Sequence, residues 1–188
     1  MTILKFMRVN KAATTSVIKY MKKNSIPHMV NEYRFGENTR YQFIRKNPNE
    51  KIFALVRNPW SRAVSSWTYC MLRKGLESCT FKEFLEMPFA DMSWSVFNHS
   101  LPQAQFLYDE NQKIDYLDHL GKVENINETM EWINKNSASN ATLPLGHIKK
   151  TDHKHYTEYY DKETQELVAE KFKEDIELFN YQFYEETK

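Results

Sequence analysis

The chain is poor in cysteine, glycine and proline. Cys70 and Cys79 are its only cysteines, which excludes a disulfide framework and a cysteine-rich zinc site. A reducing compartment is the simpler interpretation of so few cysteines. Four glycines and six prolines are spread over 188 residues without a low-complexity run or a repeat of solenoid length. This pattern argues against disordered and repeat proteins.

The chain also lacks an excess of one charge and any long apolar run. Its formal net charge is +1, so there is no overall basic field to attract nucleic acid or a membrane, and any anion site must be local. No apolar run approaches the roughly 20 residues of a membrane span, and the first strand leaves no room for a signal peptide. We therefore expect a soluble protein, cytoplasmic or otherwise intracellular, although a trimmed luminal domain would have the same features.

The hydrophobic pattern contains a strand, a polar turn and a helix twice. The first copy runs from the apolar residues 3–9 to a helix over Thr14–Lys23, and the second from Lys51–Val56 to a helix over Trp60–Leu72. Two such units predict an α/β fold with a parallel sheet whose strand ends carry the site. The length suits one core, so we expect a single domain over residues 1–188.

The remaining elements are predicted from shorter patterns. Apolar runs predict strands at 26–30 and 114–123, and Asp161 is the expected N-cap of one amphipathic helix that continues to Phe179. The other segments are a helical stretch after Gly36, short helices at 80–87 and 127–134, an aromatic-rich segment at 93–107 and a basic loop at 143–155.

The first polar turn, Asn10–Ser16, has the features of an anion site. Free N–H groups and a helix dipole converge at such a turn, and Lys11 adds a full charge. A nucleotide kinase would instead have Gly-x-x-x-x-Gly-Lys-Ser/Thr here, with a hydroxyl directly after the lysine. In this chain the lysine opens the loop and no glycine is present.

The second polar turn supplies another basic residue. Arg57 ends the second strand and is suited to bind a phosphate, and Ser65 lies two turns into the following helix. One ligand with two separate anionic ends would use both turns.

These motifs resemble those of sulfotransferases that use 3′-phosphoadenosine 5′-phosphosulfate (PAPS). Val9–Ser16 is similar to their 5′-phosphosulfate loop, P-K-x-x-x-T-S, and Val56–Ser65 to their 3′-phosphate motif, V-R-[DN]-P-x-x-R-x-x-S. Gly121–Asn125 resembles their later G-x-x-E-x segment, and Phe172–Tyr181 their closing F/Y-x-x-D-x-x-x-F-x-Y pattern. The chain resembles most the Golgi carbohydrate sulfotransferases, which act on chondroitin, dermatan and heparan, and Phe97-Asn98-His99 is similar to a segment of their chondroitin and dermatan members.

The resemblance implies a P-loop-like three-layer sandwich, with a central parallel sheet flanked by helices, and a PAPS cofactor without a metal. The acceptor would be a carbohydrate or another small molecule with a hydroxyl group. The 3′-phosphate would be held by Arg57 and Ser65, and Lys11 would also stabilise the leaving diphosphate. The 5′-phosphosulfate would be held by Lys11, Ala12, Ala13, Thr14, Thr15 and Ser16, and Lys150 in the basic loop is a further predicted cofactor contact.

Three residues are candidates for the base that takes the acceptor's proton. His28 ranks first, because it stands about as far before the Arg57 motif as the histidine of the related carbohydrate enzymes. Glu32 ranks second, because other sulfotransferases use glutamate, and His99 ranks third.

Two other functions remain open at this point. One is a P-loop-type nucleotide or small-molecule kinase, and the other is a non-catalytic relative that binds a nucleotide or a sulfated glycan. The identity of the acceptor and the oligomeric state are left open by the sequence.

Overall fold

The computed structural model describes residues 2–31, 36–73, 78–137 and 154–184, with only the backbone described for 36–39. The chain divides into two compact units. The first, which we call the sheet unit, comes mainly from residues 1–56 and 105–150. The second, which we call the helical unit, comes from residues 57–104 and 151–187. The single domain expected from the sequence stays a prediction.

The sheet unit is built around four parallel strands. They are β1 (Ile3–Met7), β2 (His28–Val30), β3 (Glu50–Val56) and β4 (His119–Lys122), and their order in the sheet is β2-β1-β3-β4. Leu4 pairs with His28 on one side of β1 and with Lys51 on the other. Parallel strands need crossover connections, which explains why helices separate them along the chain.

Helices cover both faces of this sheet. On one face the rings of Phe6 and Phe53 stack at 4.7 Å, and Trp132 of α7 (Ile126–Asn136) lies 5.6 Å from Phe53. Helix α1 (Thr14–Lys23) is tied to α7 on that face, because the Tyr20 hydroxyl donates to the Asn134 side chain.

The opposite face of the sheet is covered by α2 (Gly36–Ile44). Successive strand residues point to opposite faces, and Lys5 accordingly lies over the Phe43 ring of this helix. The predicted α/β architecture, with a parallel sheet between helices, is confirmed.

A buried ion pair lies on the α2 face of the sheet. Lys5 Nζ is 2.9 Å from Glu50 Oε2 and also donates to the Arg45 carbonyl at 2.9 Å. The N–H of Asn47 donates to the same carboxylate oxygen at 3.0 Å. This N–H, followed by Lys5, lowers the pKa of Glu50 from 4.5 to about 2.

We expect this pair to make stability fall in acid. The pKa of Glu50 is lower in the folded state, so its contribution is present above pH 4.5 and is lost as the pH falls toward 2. The unfolding free energies of wild type and Glu50→Gln, measured by urea denaturation, should therefore converge as the pH falls from 5 to 2. The exposed Glu131→Gln is the matched control, and a wild-type advantage over Glu50→Gln that does not change with pH would contradict the prediction.

Most of the described helices that follow Val56 belong to the helical unit, whereas α7 belongs to the sheet unit. The long helix α3 (Pro59–Arg73) is capped by Asn58, whose side-chain oxygen accepts from the N–H of Trp60 at 3.0 Å and of Ser61 at 3.3 Å. Proline at the first helical position suits such a start. This unit also contains α4 (Phe81–Glu86), α5 (Trp94–Ser100), α8 (Lys162–Lys171) and α9 (Lys173–Phe179). The short helix α6 (Ala104–Leu107) begins at the last residue of its first segment. Aromatic contacts such as Trp67 with Phe81 and Trp60 with Phe183 fill its interior.

Three predicted elements differ from the observed ones. Strand β2 begins at His28 rather than at residue 26, and β4 begins at His119 rather than at residue 114. The C-terminal helix breaks at Phe172, where φ is −118° and ψ is 27°. No glycine or proline marks this break, so the local pattern did not reveal it. None of the described helices is long and apolar enough to cross a membrane.

Candidate functional site

The order of the strands places a topological switch point between β1 and β3. From β1 the chain passes through α1 to β2 on one side, and from β3 it goes to β4 on the other side. Ligands of open α/β sheets bind at the carboxyl ends of the strands at such a point. Both motifs singled out from the sequence begin where one of these two strands ends.

The first turn has an unusual backbone for a stretch without glycine. Lys11 has a φ of 66° and Ala13 a φ of 54°, so both lie in the left-handed region. Non-glycine residues in this region cost on the order of 1–3 kcal/mol each and are concentrated at functional sites. Alternating right- and left-handed residues point successive N–H groups inward and form an anion-binding nest. The backbone of this turn therefore suits an anion.

The hydroxyl groups of the first turn have different roles. Thr14 is buried, and its hydroxyl donates to the Val9 carbonyl at 2.7 Å, which closes the turn onto the end of β1. The hydroxyl proton of Thr14 is thereby committed to the Val9 carbonyl, so Thr14 would contact an anion through its backbone N–H. Thr15 is exposed and Ser16 is half-buried at the start of α1. Ala13 is the N-cap residue without a side-chain cap, so the helix N–H groups receive no capping side chain.

The second turn directs a guanidinium along one face of α3. The Nε of Arg57 donates to the Ser61 hydroxyl at 3.0 Å. Ser65 follows Ser61 by one helical turn and therefore lies on the same face. Arg57, Ser61 and Ser65 form a polar row that we call the arginine row. The second arginine of the motif, Arg62, is fully buried and belongs to the core of the helical unit.

The sheet register places His28 away from the strand ends. His28 begins β2 and pairs with Leu4, which precedes the end of β1 at Met7. At about 3.3 Å per residue, this level lies roughly 10 Å before the edge where the first turn begins. Because ligands of such sheets bind beyond the carboxyl ends of the strands, this location argues against His28 as the base.

His99 has the protonation pattern that a base requires. Its Nδ1 lies 2.7 Å from the Ser95 carbonyl, just as Nδ1 of His28 lies 2.7 Å from the Ile26 carbonyl. Because a carbonyl oxygen only accepts, Nδ1 carries the proton, and the lone pair of the neutral ring is on Nε2. The ring stacks on Tyr69 at 4.6 Å, which holds its orientation. Ala12, the remaining predicted residue of the first turn, is buried. Glu32 and Lys150 lie outside the described residues.

The two later motifs are explained by packing. A Cβ on Gly121 would lie 1.9 Å from the Thr129 hydroxyl, so only glycine fits between β4 and α7. That hydroxyl lies 2.9 Å from Nε2 of His119, and burial lowers the pKa of this histidine. In the closing pattern, the side chains of Phe172, Asp175, Phe179 and Tyr181 are all buried.

Sequence reasoning missed three residues that support the second turn. Ser61 binds Arg57, Gln103 contacts the backbone of Arg57, and Asp175 contacts the backbone of Gln103. The spacing of Ser61 from Ser65 was a usable signal, whereas no local pattern connects Gln103 with Arg57. No group of three or more His, Cys, Asp or Glu side chains that could hold a metal occurs in the part of the chain that the structure describes.

The fold and the two turns define an α/β protein with basic motifs at the switch point of a parallel sheet. A family model described as the sulfotransferase family matches residues 3–182. The chain therefore belongs to the sulfotransferase family, which confirms the family resemblance of its motifs. Comparisons with curated proteins and with solved structures gave no significant match.

Proposed function

We propose that this sulfotransferase transfers the sulfuryl group of PAPS to a hydroxyl group of a carbohydrate and releases adenosine 3′,5′-diphosphate. One observation carries the proposal. The two basic turns follow β1 and β3, which are parallel neighbours at the switch point of the sheet. The choice of a carbohydrate rests on the likeness of Phe97-Asn98-His99 to the chondroitin and dermatan enzymes.

The first turn is suited to the 5′ end of PAPS. Bound PAPS supplies an activated sulfuryl group, so the residues around it need to hold anionic oxygens and stabilise the charge of the leaving group. Lys11 offers an ammonium, and the left-handed backbone at Lys11 and Ala13 offers N–H groups. The N-terminus of α1 adds the positive end of a helix dipole. Lys11 is the residue that we assign to leaving-group stabilisation.

The arginine row is suited to a 3′-phosphate. Arginine is the preferred partner for phosphate, because its planar fork can donate two hydrogen bonds. The contact with Ser61 orients the guanidinium of Arg57 before any ligand binds. The Ser65 hydroxyl on the same helix face is a further donor.

The general base stays a prediction among the three candidates. The position of His28 at the start of β2 counts against it. The contact of Nδ1 with a backbone carbonyl is common to His28 and His99 and does not separate them. Glu32 keeps its place as a candidate because other sulfotransferases use glutamate. The base is the residue whose replacement by glutamine abolishes turnover but leaves cofactor binding unchanged.

Transfer of labelled sulfate from PAPS to a panel of glycans tests the proposal. We also expect adenosine 3′,5′-diphosphate to bind about 10- to 100-fold more tightly than adenosine 5′-monophosphate, since hydrogen bonds to charged groups contribute about 1.5–3 kcal/mol. Isothermal titration calorimetry measures both affinities.

Each competing function predicts a different result in these assays. A kinase would bind ATP with magnesium and be indifferent to a 3′-phosphate. A non-catalytic relative would bind the diphosphate without transferring sulfate to any acceptor. Binding of neither PAPS nor adenosine 3′,5′-diphosphate would refute the proposal.

A further inference from the structure

The side-chain amide of Gln103 holds both backbone groups of Arg57. The N–H of Arg57 donates to Gln103 Oε1 at 2.8 Å, and Gln103 Nε2 donates to the Arg57 carbonyl at 2.8 Å. Gln103 is fully buried. The amide thus pairs with Arg57 as a neighbouring strand would, at the first residue after β3. Among uncharged side chains, only an amide offers a donor and an acceptor in this arrangement.

The backbone of Gln103 is held in turn by a buried carboxylate. Asp175 Oδ2 accepts from the N–H of Gln103 at 2.7 Å, and Asp175 Oδ1 accepts from the N–H of Ala104 at 2.9 Å. Burial raises the pKa of Asp175, while Arg62 and these two N–H groups lower it. The guanidinium of Arg62 is also buried and lies over the Phe172 ring. Asp175, the aspartate of the closing pattern Phe172–Tyr181, therefore holds the backbone of Gln103 in place.

Arg57 is consequently held at two points. Gln103 holds its backbone, and Ser61 accepts a hydrogen bond from its Nε. A guanidinium held at both ends loses less conformational entropy when it binds an anion, and pre-organised sites gain affinity for this reason.

We propose that Gln103 and Asp175 are positioning residues that pre-organise Arg57 for the 3′-phosphate of the cofactor. This inference rests on the proposed function. It assigns a binding role to two residues that lie far from the Arg57 motif in the sequence. Neither residue contacts the ligand in this proposal: Gln103 acts through the backbone of Arg57, and Asp175 acts through the backbone of Gln103.

The test compares Gln103→Met with wild type by calorimetric titration of two ligands. The measured quantity is the ratio of affinities for adenosine 3′,5′-diphosphate and adenosine 5′-monophosphate, which isolates the 3′-phosphate. We expect Gln103→Met to reduce this ratio about tenfold, because two hydrogen bonds to Arg57 are lost, and to leave monophosphate affinity unchanged. The exposed Gln105→Met is the matched control and should behave as wild type.

Further variants separate positioning from a loss of fold. Asp175→Asn keeps the shape of the side chain and should reduce the same ratio by a smaller factor. In an Arg57→Ala background, Gln103→Met should change the ratio no further, because the residue that it positions is gone. Equal loss of affinity for both ligands, an unchanged ratio, or failure of both Gln103→Met and Asp175→Asn to fold would overturn the inference. A wild-type protein without preference for the 3′-phosphate would instead refute the proposed function itself, and the inference with it.

Discussion

Lys11→Ala is expected to lower the rate of sulfate transfer by about 10²–10³-fold, the loss typical when one donor to a developing oxyanion is removed. In the proposed reaction, the ammonium of Lys11 stabilises the negative charge that builds on the bridging oxygen of the leaving diphosphate as its bond to sulfur breaks, a charge that this oxygen does not carry in bound PAPS. The loss should therefore appear in kcat more than in the affinity for PAPS. Initial rates with labelled PAPS and calorimetric titration of PAPS without an acceptor measure the two quantities.

Two variants serve as controls for the Lys11 prediction. Lys11 has a φ of 66°, which glycine adopts without strain, so Lys11→Gly should be as inactive as Lys11→Ala without losing unfolding free energy. Lys22→Ala removes an exposed lysine of α1 and should keep full activity. If Lys11→Gly retained most of the wild-type rate, Lys11 would have no part in the transfer step.

The substitution Gly121→Ala is expected to cost about 3 kcal/mol of unfolding free energy. Overpacking costs about 1–3 kcal/mol, and displacement of the Thr129 hydroxyl from His119 costs roughly another 1 kcal/mol. The new Cβ would lie 1.9 Å from that hydroxyl and 3.0 Å from a side-chain atom of Leu55. Thr129 is fully buried and has little space to move away. Urea denaturation monitored by tryptophan fluorescence measures the effect.

The origin of this cost can be tested by changing Thr129. In a Thr129→Ala background the contact at 1.9 Å is absent, so Gly121→Ala should cost clearly less than in wild type. Thr129→Val keeps an atom close to the position of the hydroxyl and should give no relief. Equal costs in the Thr129→Ala and wild-type backgrounds would show that the clash with Thr129 is not the cause.

Local sequence was sufficient for the elements that begin with clear chemical signals. Thr14–Lys23 was predicted with the bounds that α1 has, because a polar turn precedes a regular apolar stripe. The cap at Asp161 was also correct, since its carboxylate accepts from the N–H of Thr164 at 2.8 Å. The break at Phe172 was missed because no glycine or proline marks it in the sequence.

Register was the main reason why the site was predicted incompletely. The sequence identified His28 as belonging to a strand. Which residue of β1 lies beside His28 is set by the hydrogen bonds between the two strands, and the sequence pattern does not reveal it. The observed pairing with Leu4 places His28 away from the carboxyl edge. The left-handed conformations of Lys11 and Ala13 were likewise unpredictable, since neither position is a glycine and the local sequence favours other conformations.

By itself the sequence determined the fold class, the family and the two basic turns, because hydrophobic periodicity and motif spacing are local properties of the chain. Only the tertiary structure decided how Arg57 is held. Its partners are a serine on the following helix, a buried glutamine and, through that glutamine, the carboxylate of Asp175. A buried polar group must find a hydrogen-bond partner wherever the fold brings one within reach, and sequence spacing does not encode that distance.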